Sequence, residues 1–294
     1  MRDDSPVPLV RPALDTDDVQ RRDAETYHEH TKLNRLNNRP LGGRVSTILN
    51  DPALFRLMVQ SRKAYPACER VQLPREGLGG MKLEDALFRR RSQTGRYGGK
   101  GISLEQLASI LRGAYGPTRA MPIDGSPGEL MYLRATPSAG GLYPAEVYPV
   151  VFDVAGLPAG VYHYDPQTNG LDVLDRLPAQ ELKAKVLPRI ASHDFNEDIA
   201  VLFAITAVMP RTMAKYLFRG YRFLLYDVGA LVQSLYLTAT ALGLGTCAVG
   251  GFFDDEVGEV LEIDNVEENV MLLFSVGEAT PGLAAEKVHV PLDR

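Results

Sequence analysis

The segment that most constrains this 294-residue chain is Pro137-Ser138-Ala139-Gly140-Gly141-Leu142-Tyr143-Pro144, which leads into the apolar stretch 147–154. Its small residues, from Ser138 to Gly141, leave no bulk above the main chain, so a flat ligand can lie against free peptide groups. The two prolines fix φ at the ends of the run. The pattern predicts a ligand-binding loop before a strand, and an ordinary tight turn before a strand is the alternative interpretation.

Hydrophobic periodicity elsewhere predicts helices and strands in mixed order. The predicted helices lie near 83–87 and at 104–114, 181–190 and 221–242. The second has the clearest ends, because Ser103 and Gln106 form a capping-box pair before it and Gly116-Pro117 stops it. The predicted strands are 147–154, 161–164, 201–208 and 271–276, with a loop at 117–135 and a glycine-rich turn at 243–251. Since regular βαβ spacing is lacking, we predict an α+β fold.

The chain divides into two parts by pattern. Residues 1–80 mix short apolar patches with many arginines, which predicts an N-terminal extension or small subdomain, and residues 81–294 form the main predicted domain. Charge is also uneven, because residues 1–100 carry a formal charge of +6 and the remainder carries −11. The asymmetry points to a local anion site or a solvated basic surface in the first part.

The basic excess peaks at Arg89-Arg90-Arg91-Ser92, with Arg96 and Lys100 just after it. A planar ligand with an anionic tail needs guanidinium donors for its phosphate and a flat open backbone for its ring. The turn at 243–251, Gly-Leu-Gly-Thr-Cys-Ala-Val-Gly-Gly, offers a second place for close backbone approach. Because no Gly-x-Gly-x-x-Gly opens a helix after a strand, flavin mononucleotide (FMN) fits this pattern better than a dinucleotide.

Composition argues against several classes of function. A hydrophobic content of 45% is ample for a packed core. Cys68 and Cys247 are too far apart for a disulfide framework or a zinc pattern, and with no signal-peptide pattern they favour a reducing cytoplasm. The apolar stretch 223–242 is interrupted by Asp227 and two further polar residues, which predicts a buried helix and no membrane span. The absence of a broad basic, aromatic-rich stripe argues against nucleic acid.

Five ordered motifs resemble the nitroreductase-like flavoprotein superfamily and, within it, the SagB-type dehydrogenases. They are Arg-Arg-Ser at 90–92, Pro-Ser-Ala-Gly-Gly-Leu-Tyr-Pro at 137–144, Gly-Val-Tyr-His-Tyr-Asp-Pro at 160–166, Lys-Tyr at 215–216 and the turn at 243–251. The resemblance runs from about residue 82 to 279, and residues 27–32 resemble the N-terminal extension of the subfamily. It implies an FMN-binding α+β fold with a mixed or antiparallel sheet flanked by helices, and a homodimer with two flavin sites at the subunit interface.

The resemblance also implies roles for individual residues around FMN. The residues expected to hold the phosphate are Arg90, Arg91 and Ser92. The isoalloxazine ring is expected to be lined on one side by Pro137, Ser138, Ala139, Gly140 and Gly141. On the other side of the ring we expect Gly250 and Gly251. Thr94 stands where many relatives have a second basic residue, and Arg96 is the expected substitute. For the C-terminal basic phosphate ligand of many relatives, Lys287 and Arg294 are both candidates.

SagB-type enzymes oxidise thiazoline or oxazoline rings in a ribosomal peptide to aromatic azoles. The resemblance therefore implies an FMN-dependent azoline dehydrogenase, with Lys215 as base and Tyr216 as proton relay. Read without the resemblance, the pair is a surface lysine beside a core tyrosine. The expected partners are a modified precursor peptide, a cyclodehydratase that makes the rings, and oxygen as the final oxidant.

Two other functions stay open at this point. A reductase of nitroaromatics or quinones driven by NAD(P)H keeps the flavin but needs no Lys-Tyr base. A scaffold subunit of a biosynthetic complex needs no flavin at all, although the intact Arg-Arg-Ser motif and glycine loops argue against it.

Other reactive side chains have structural interpretations. The histidines at 28 and 30 have no third ligand in their pattern, so we expect a polar surface and no metal site. His163 is expected to be a hydrogen-bonded core or rim histidine, and Cys247 to pack as a small residue. The acidic run from Asp254 to Glu268 is expected to form a solvated helix face.

Overall fold

The computed structural model describes residues 18–60, 62–75, 77–191 and 198–280. The helices in this part are α1 (Asp18–His30), α2 (Asn38–Asn50), α3 (Pro52–Val59), α4 (Leu83–Arg89), α5 (Leu104–Tyr115), α6 (Ala179–Val186), α7 (Met209–Tyr216), α8 (Arg219–Ala241) and α9 (Asp254–Val260). The strands are β1 (Arg70–Gln72), β2 (Ile102–Ser103), β3 (Pro117–Pro122), β4 (Leu130–Arg134), β5 (Ala145–Val151), β6 (Val154–Ala155), β7 (Gly160–Asp165), β8 (Gly170–Arg176), β9 (Val201–Val208), β10 (Leu244–Val249) and β11 (Glu268–Glu278).

The main sheet has seven strands in the order β1-β8-β7-β5-β9-β11-β10. Every neighbouring pair in it is antiparallel. The strands β5 and β9 lie side by side, from Ala145 opposite Ala207 to Val151 opposite Val201, and their side chains are buried almost throughout. Burial of this kind explains their continuous apolar sequences. The predicted α+β fold with an antiparallel sheet is confirmed.

Two long helices, α5 and α8, pack together beside the sheet. The predicted capping box at the start of α5 is present, since Ser103 Oγ accepts from Gln106 N at 3.2 Å and Gln106 Oε1 accepts from Ser103 N at 2.9 Å. By length and composition α8 is able to cross a membrane. However, Leu224, Leu231 and Leu235 are fully buried in the core cluster, as the buried-helix prediction requires.

Three local predictions were wrong. Residues 117–135, predicted as a loop, contain the β3–β4 hairpin. Within the predicted turn 243–251, residues 244–249 form β10 at the edge of the sheet. Glu268, placed by the sequence on a solvated helix face, is buried in β11, where Lys63 lies 2.5 Å from its Oε2 and Tyr148 and Thr206 donate to its Oε1.

The N-terminal helices are docked on the corner where α7 meets α8. Arg44 of α2 donates from Nε to the carbonyl of Ala214 at 2.8 Å. Arg222 of α8 donates to Thr31 Oγ1 at 2.7 Å and to the carbonyl of His28 at 2.6 Å, at the end of α1. Further along, β1 adds a strand to the main sheet by pairing with β8. Residues before 81 therefore contact the later part of the chain at several separate places, which include Glu129 through Arg56 and Glu268 through Lys63.

Candidate functional site

The loop before β5 is closed on itself by a serine. Ser138 Oγ accepts from the backbone N of Tyr143 at 2.8 Å, and Gly141 N donates to the carbonyl of Ser138 at 3.0 Å. The φ angles of Gly140 and Gly141 are 66° and 67°, a left-handed conformation that glycine adopts without steric cost. The small residues are therefore needed for a tight, single-turn loop.

The two glycines in this loop have different neighbours. A Cβ on Gly140 would lie 2.5 Å from Tyr216 Oη and 3.0 Å from Lys215 Nζ. A Cβ on Gly141 would overlap the side chain of Met131 in β4. The space above Gly141 is thus filled by the protein, whereas the missing side chain of Gly140 makes room for the two residues predicted as catalytic.

Lys215 and Tyr216 are positioned by the short helix α7, which follows β9 directly. Lys215 is only 4% exposed, and burial lowers the pKa of its amine. Tyr216 is half-buried, and burial together with the charge of Asp227 raises the pKa of its phenol. The lysine is therefore in the core and not on the surface, contrary to the alternative reading of this pair. A buried amine with a lowered pKa suits a base.

The helix α7 is anchored to the loop by a buried arginine. Arg211 lies one turn before Lys215, and its Nη1 donates to the carbonyl of Tyr143 at 3.0 Å. The same nitrogen lies 2.5 Å from Glu146 Oε1 in β5. Burial alone would raise the pKa of Glu146, but Arg211 and a hydrogen bond from His163 outweigh it and hold that pKa at about 2. An ion pair thus fixes Lys215 relative to the loop.

A carboxylate that the sequence analysis did not assign to the site also holds the loop. Asp227 of α8 accepts from Ser138 Oγ at 2.5 Å and from Ala139 N at 3.3 Å. Burial raises its pKa, and these two hydrogen bonds oppose that shift. In the sequence, Asp227 is a single acid in an otherwise apolar stretch. That pattern argues against a membrane span but does not identify a partner for the carboxylate.

The arginine segment lies at the other end of α8. Arg90 stacks its guanidinium 5.1 Å from the ring centroid of Tyr236, and Ser92 Oγ hydrogen-bonds Tyr236 Oη at 2.9 Å. Gln93 N donates to the carbonyl of Thr246 in β10 at 2.7 Å. Tyr236 Oη also accepts from Ala248 N at 2.8 Å, so one phenol joins this segment to β10.

A cavity of about 350 Å³ opens beside this segment. Its lining includes Arg89, Arg91, Ser92 and Thr94, together with residues at the start of β10. Arg89 is an addition to the predicted set, and Thr94 lies at the cavity although it carries no charge. Arg96 has an exposed side chain, and its carbonyl accepts from Gln93 Nε2 and Thr280 Oγ1. Hydroxyl and guanidinium donors around a cavity suit a phosphate.

Gly250 and Gly251 follow β10 and are both exposed. A Cβ on Gly250 would meet nothing within 4 Å, and one on Gly251 would meet only Ala191 Cβ at 4.0 Å. Gly251 is held by its carbonyl, which accepts from Ala191 N at 2.9 Å. The open space fits the predicted approach of a flat ring to this backbone.

The structure therefore brings together the loop, Lys215 and Tyr216, and it places the arginine segment elsewhere. Asp227 and Tyr236 are nine residues apart on α8, which separates the two groups by about 14 Å along the helix. The candidate phosphate ligands Lys287 and Arg294 lie outside the described residues. His163 is fully buried and bonds Glu146 at 2.9 Å, as expected of a hydrogen-bonded core histidine, and Cys247 is half-buried with a pKa raised by burial. Among the described residues no cluster suits a metal ion.

Comparison with known proteins gives a family and several relatives. Residues 87–278 match the Nitroreductase family. MJ1384 of Methanocaldococcus jannaschii, a protein named as a nitroreductase, is 36% identical over 208 residues, which are 70% of this chain and 95% of that protein. The trifolitoxin-processing protein TfxB of Rhizobium leguminosarum bv. trifolii is 34% identical over 149 residues, which are 49% of this chain but only 39% of TfxB.

A solved structure extends the likeness to the N-terminal part of the chain. A chain of the Escherichia coli microcin synthetase McbBCD complex with truncated pro-MccB17 bound superposes with a TM-score of 0.55 at 20% identity. The match covers 90% of this chain and 95% of that one, which shows a shared fold. Together with the match over residues 87–278, these relationships establish that the chain belongs to the nitroreductase family.

Proposed function

We propose that the protein is an FMN-dependent dehydrogenase that oxidises thiazoline or oxazoline rings in a modified ribosomal peptide. The observation that carries this proposal is the buried amine of Lys215, which has a lowered pKa and lies with Tyr216 against the bare backbone of Gly140. A reductase that only accepts hydride from a nicotinamide has no need for such a base. The relationship to TfxB, a trifolitoxin-processing protein, supports a peptide substrate.

The residues present fit FMN. Arg91 and Ser92, with Arg89 added, surround a cavity of about 350 Å³ and would hold the phosphate. Arg90 supports the segment by stacking on Tyr236. The open backbone at Gly250 and Gly251 would contact the ring. The loop 137–141 would contact the ring with the side that Met131, Lys215 and Tyr216 leave free. When bound, FMN supplies an acceptor for the hydride and its two electrons.

The reaction removes a proton from one ring carbon of the azoline and a hydride from its neighbour, which leaves the aromatic azole. In our proposal the neutral amine of Lys215 accepts the proton and becomes the ammonium form. Tyr216, whose hydroxyl lies next to the same glycine, relays or donates a proton. Arg211 and Asp227 hold the helix and the loop that carry these groups.

The proposed partners are a modified precursor peptide, a cyclodehydratase and a second copy of the chain, in the cytoplasm. Similarity to a chain of the McbBCD complex, a microcin synthetase with truncated pro-MccB17 bound, supports the first two. Exposed apolar side chains at the α7–α8 corner support the homodimer, because Phe218 is 71% and Tyr226 is 60% exposed.

A second candidate function is an NAD(P)H-dependent reductase of nitroaromatics or quinones. It is favoured by MJ1384, which is named as a nitroreductase and matches over 95% of its length. The two candidates differ in which compound reduces the flavin.

An anaerobic absorbance experiment separates them. We expect purified protein loaded with FMN to keep its flavin absorbance when NADPH is added and to lose it when an azoline peptide is added. Bleaching by NADPH alone favours the reductase. Protein that retains no flavin after FMN is supplied contradicts both candidates.

Replacing Gly140 with alanine tests the contact between the loop and the Lys-Tyr pair. The new methyl group must displace Tyr216 Oη and Lys215 Nζ, so we expect turnover of an azoline peptide to fall by at least tenfold. The matched control is Gly128→Ala, which has a similar positive φ of 82° but nothing within 4 Å of the new Cβ. Both variants carry backbone strain of about 1–2 kcal/mol, measurable by urea unfolding. Equal turnover in the two variants would show that the close approach at Gly140 is not used.

A further inference from the structure

The cavity between α2 and the α7–α8 corner has no role in the proposed chemistry itself. It measures about 520 Å³ and is lined by Leu41, Val45 and Leu49 on one side and by Tyr216 and Phe223 on the other. We propose that it binds an apolar side chain of the residue next to the reacting ring in the peptide. This proposal rests on the proposed function and adds a determinant of substrate choice to it.

The position of Tyr216 connects the cavity to the reacting groups. The hydroxyl of Tyr216 lies next to Gly140. Its ring packs edge-to-face on Phe223, with 4.9 Å between the ring centroids, and is part of the cavity lining. An extended peptide advances about 3.3–3.6 Å per residue. When a ring carbon is held at Lys215 and Tyr216, it is therefore the side chain of an adjacent residue that reaches the cavity.

The lining selects an uncharged occupant. Among the described residues no Asp, Glu, Lys or Arg lines the cavity, and the remaining members are Asn, Ser and Gly. A charged side chain placed there would lose water without gaining a partner of opposite charge. An apolar side chain gains affinity in proportion to the area it buries. Gly42 of α2 adds room, because nothing lies within 4 Å of the position its Cβ would take.

One wall of this cavity comes from outside the family domain. The domain match begins at residue 87, whereas α2 ends at Asn50. The bond from Arg44 to the carbonyl of Ala214 fixes α2 against α7, one residue before Lys215. The N-terminal segment thus supplies a side of the substrate site that residues 87–278 alone do not contain.

The absence of tryptophan from the chain allows a direct binding test. Leu49→Trp places a single fluorescent reporter in the lining, on the FMN-loaded protein. The probes are two short peptides with one thiazole, flanked on both sides by leucine or by glycine, which bind without reacting. We expect the leucine peptide to change the tryptophan emission and to bind about tenfold or more tightly than the glycine peptide.

Two further variants complete the test. Thr47→Trp is the matched control, because Thr47 is exposed and lies on the opposite side of α2, and its emission should not change. Val45→Trp fills the cavity and should bring the two affinities within about twofold of each other.

Equal affinities, no binding of either peptide, or an equal response from Thr47→Trp would overturn the proposal. Loss of the dimer in Val45→Trp, measured by size-exclusion chromatography, would instead assign the cavity to a second copy and would also overturn it. Because binding needs no turnover, selective binding without oxidation of the matching azoline peptide would reject the dehydrogenase and leave the cavity assignment intact. Oxidation of azoline peptides with no selectivity for the neighbouring side chain would reject the cavity assignment and leave the dehydrogenase intact.

Discussion

Oxidation of an azoline peptide should be lost in Lys215→Met, with a fall in turnover of about 10²–10⁴-fold. The methionine fills the same buried space next to Gly140 but cannot accept a proton. Bound FMN should be retained, because the candidate phosphate cavity lies at the other end of α8. Flavin absorbance of the purified variant and single-turnover flavin reduction by the peptide measure the two effects separately.

The pH dependence gives an independent check on the same residue. Only the neutral amine is a base, so the wild-type rate should rise with pH and level off above the pKa of Lys215. Burial lowers that pKa, which places the plateau below the pH of about 10.4 expected for an exposed lysine. Tyr216→Phe is the companion variant, and it should keep this rising limb. A Lys215→Met protein that still bleaches its flavin with peptide would remove the lysine from the mechanism.

Arg211→Met should lower the free energy of unfolding by about 3–5 kcal/mol. Arg211 is 8% exposed, and removing its charge leaves the carboxylate of Glu146 buried without its ion-pair partner, with the hydrogen bond from His163 remaining. The carbonyl of Tyr143 also loses its donor. Urea unfolding at neutral pH measures the loss, and Arg176→Met is the control. Arg176 pairs with Glu69 at 2.7 Å on the surface, where water screens the two charges and such a pair contributes little to stability.

The sign of the pH effect follows from the depressed pKa of Glu146. The stabilisation by the pair is fully present above the unfolded-state pKa of about 4.3 and is lost as the pH falls through the folded-state value of about 2. The difference in the free energy of unfolding between wild type and Arg211→Met should therefore become smaller as the pH falls from about 4 to about 2. Equal stability of Arg211→Met and Arg176→Met at pH 7 would mean that the pair does not anchor α7.

The parts of the fold that could be predicted from the sequence are those whose pattern is set by burial. The strand β9 has the predicted bounds, 201–208, because nearly all of its side chains are buried and its sequence is continuously apolar. The β3–β4 hairpin was missed since β3 is exposed throughout and begins and ends with proline, which hides the strand pattern. In β10, Gly245 suggested a turn. The structure gives another reason for this glycine, because a Cβ at its position would overlap the side chain of Gln93.

The candidate site was only partly predictable for a different reason. Lys215 and Tyr216 were found through resemblance to a family, since no local pattern distinguishes a buried lysine from an exposed one. The roles of Asp227 and Arg211 depend on partners 65 to 89 residues away in sequence, Ser138 and Glu146, which only the folded chain brings within bonding distance. Single residues of this kind leave no periodic signal.

The helix α8 carries both anchors of the candidate site, Asp227 for the loop and Tyr236 for the arginine segment. Adding or deleting one residue between them would turn one anchor by about 100° and shift it by about 1.5 Å relative to the other. The spacing between these two positions should therefore tolerate no change in length during evolution or engineering. The connection between β3 and β4, which is exposed for much of its length, is by contrast a natural place for insertions.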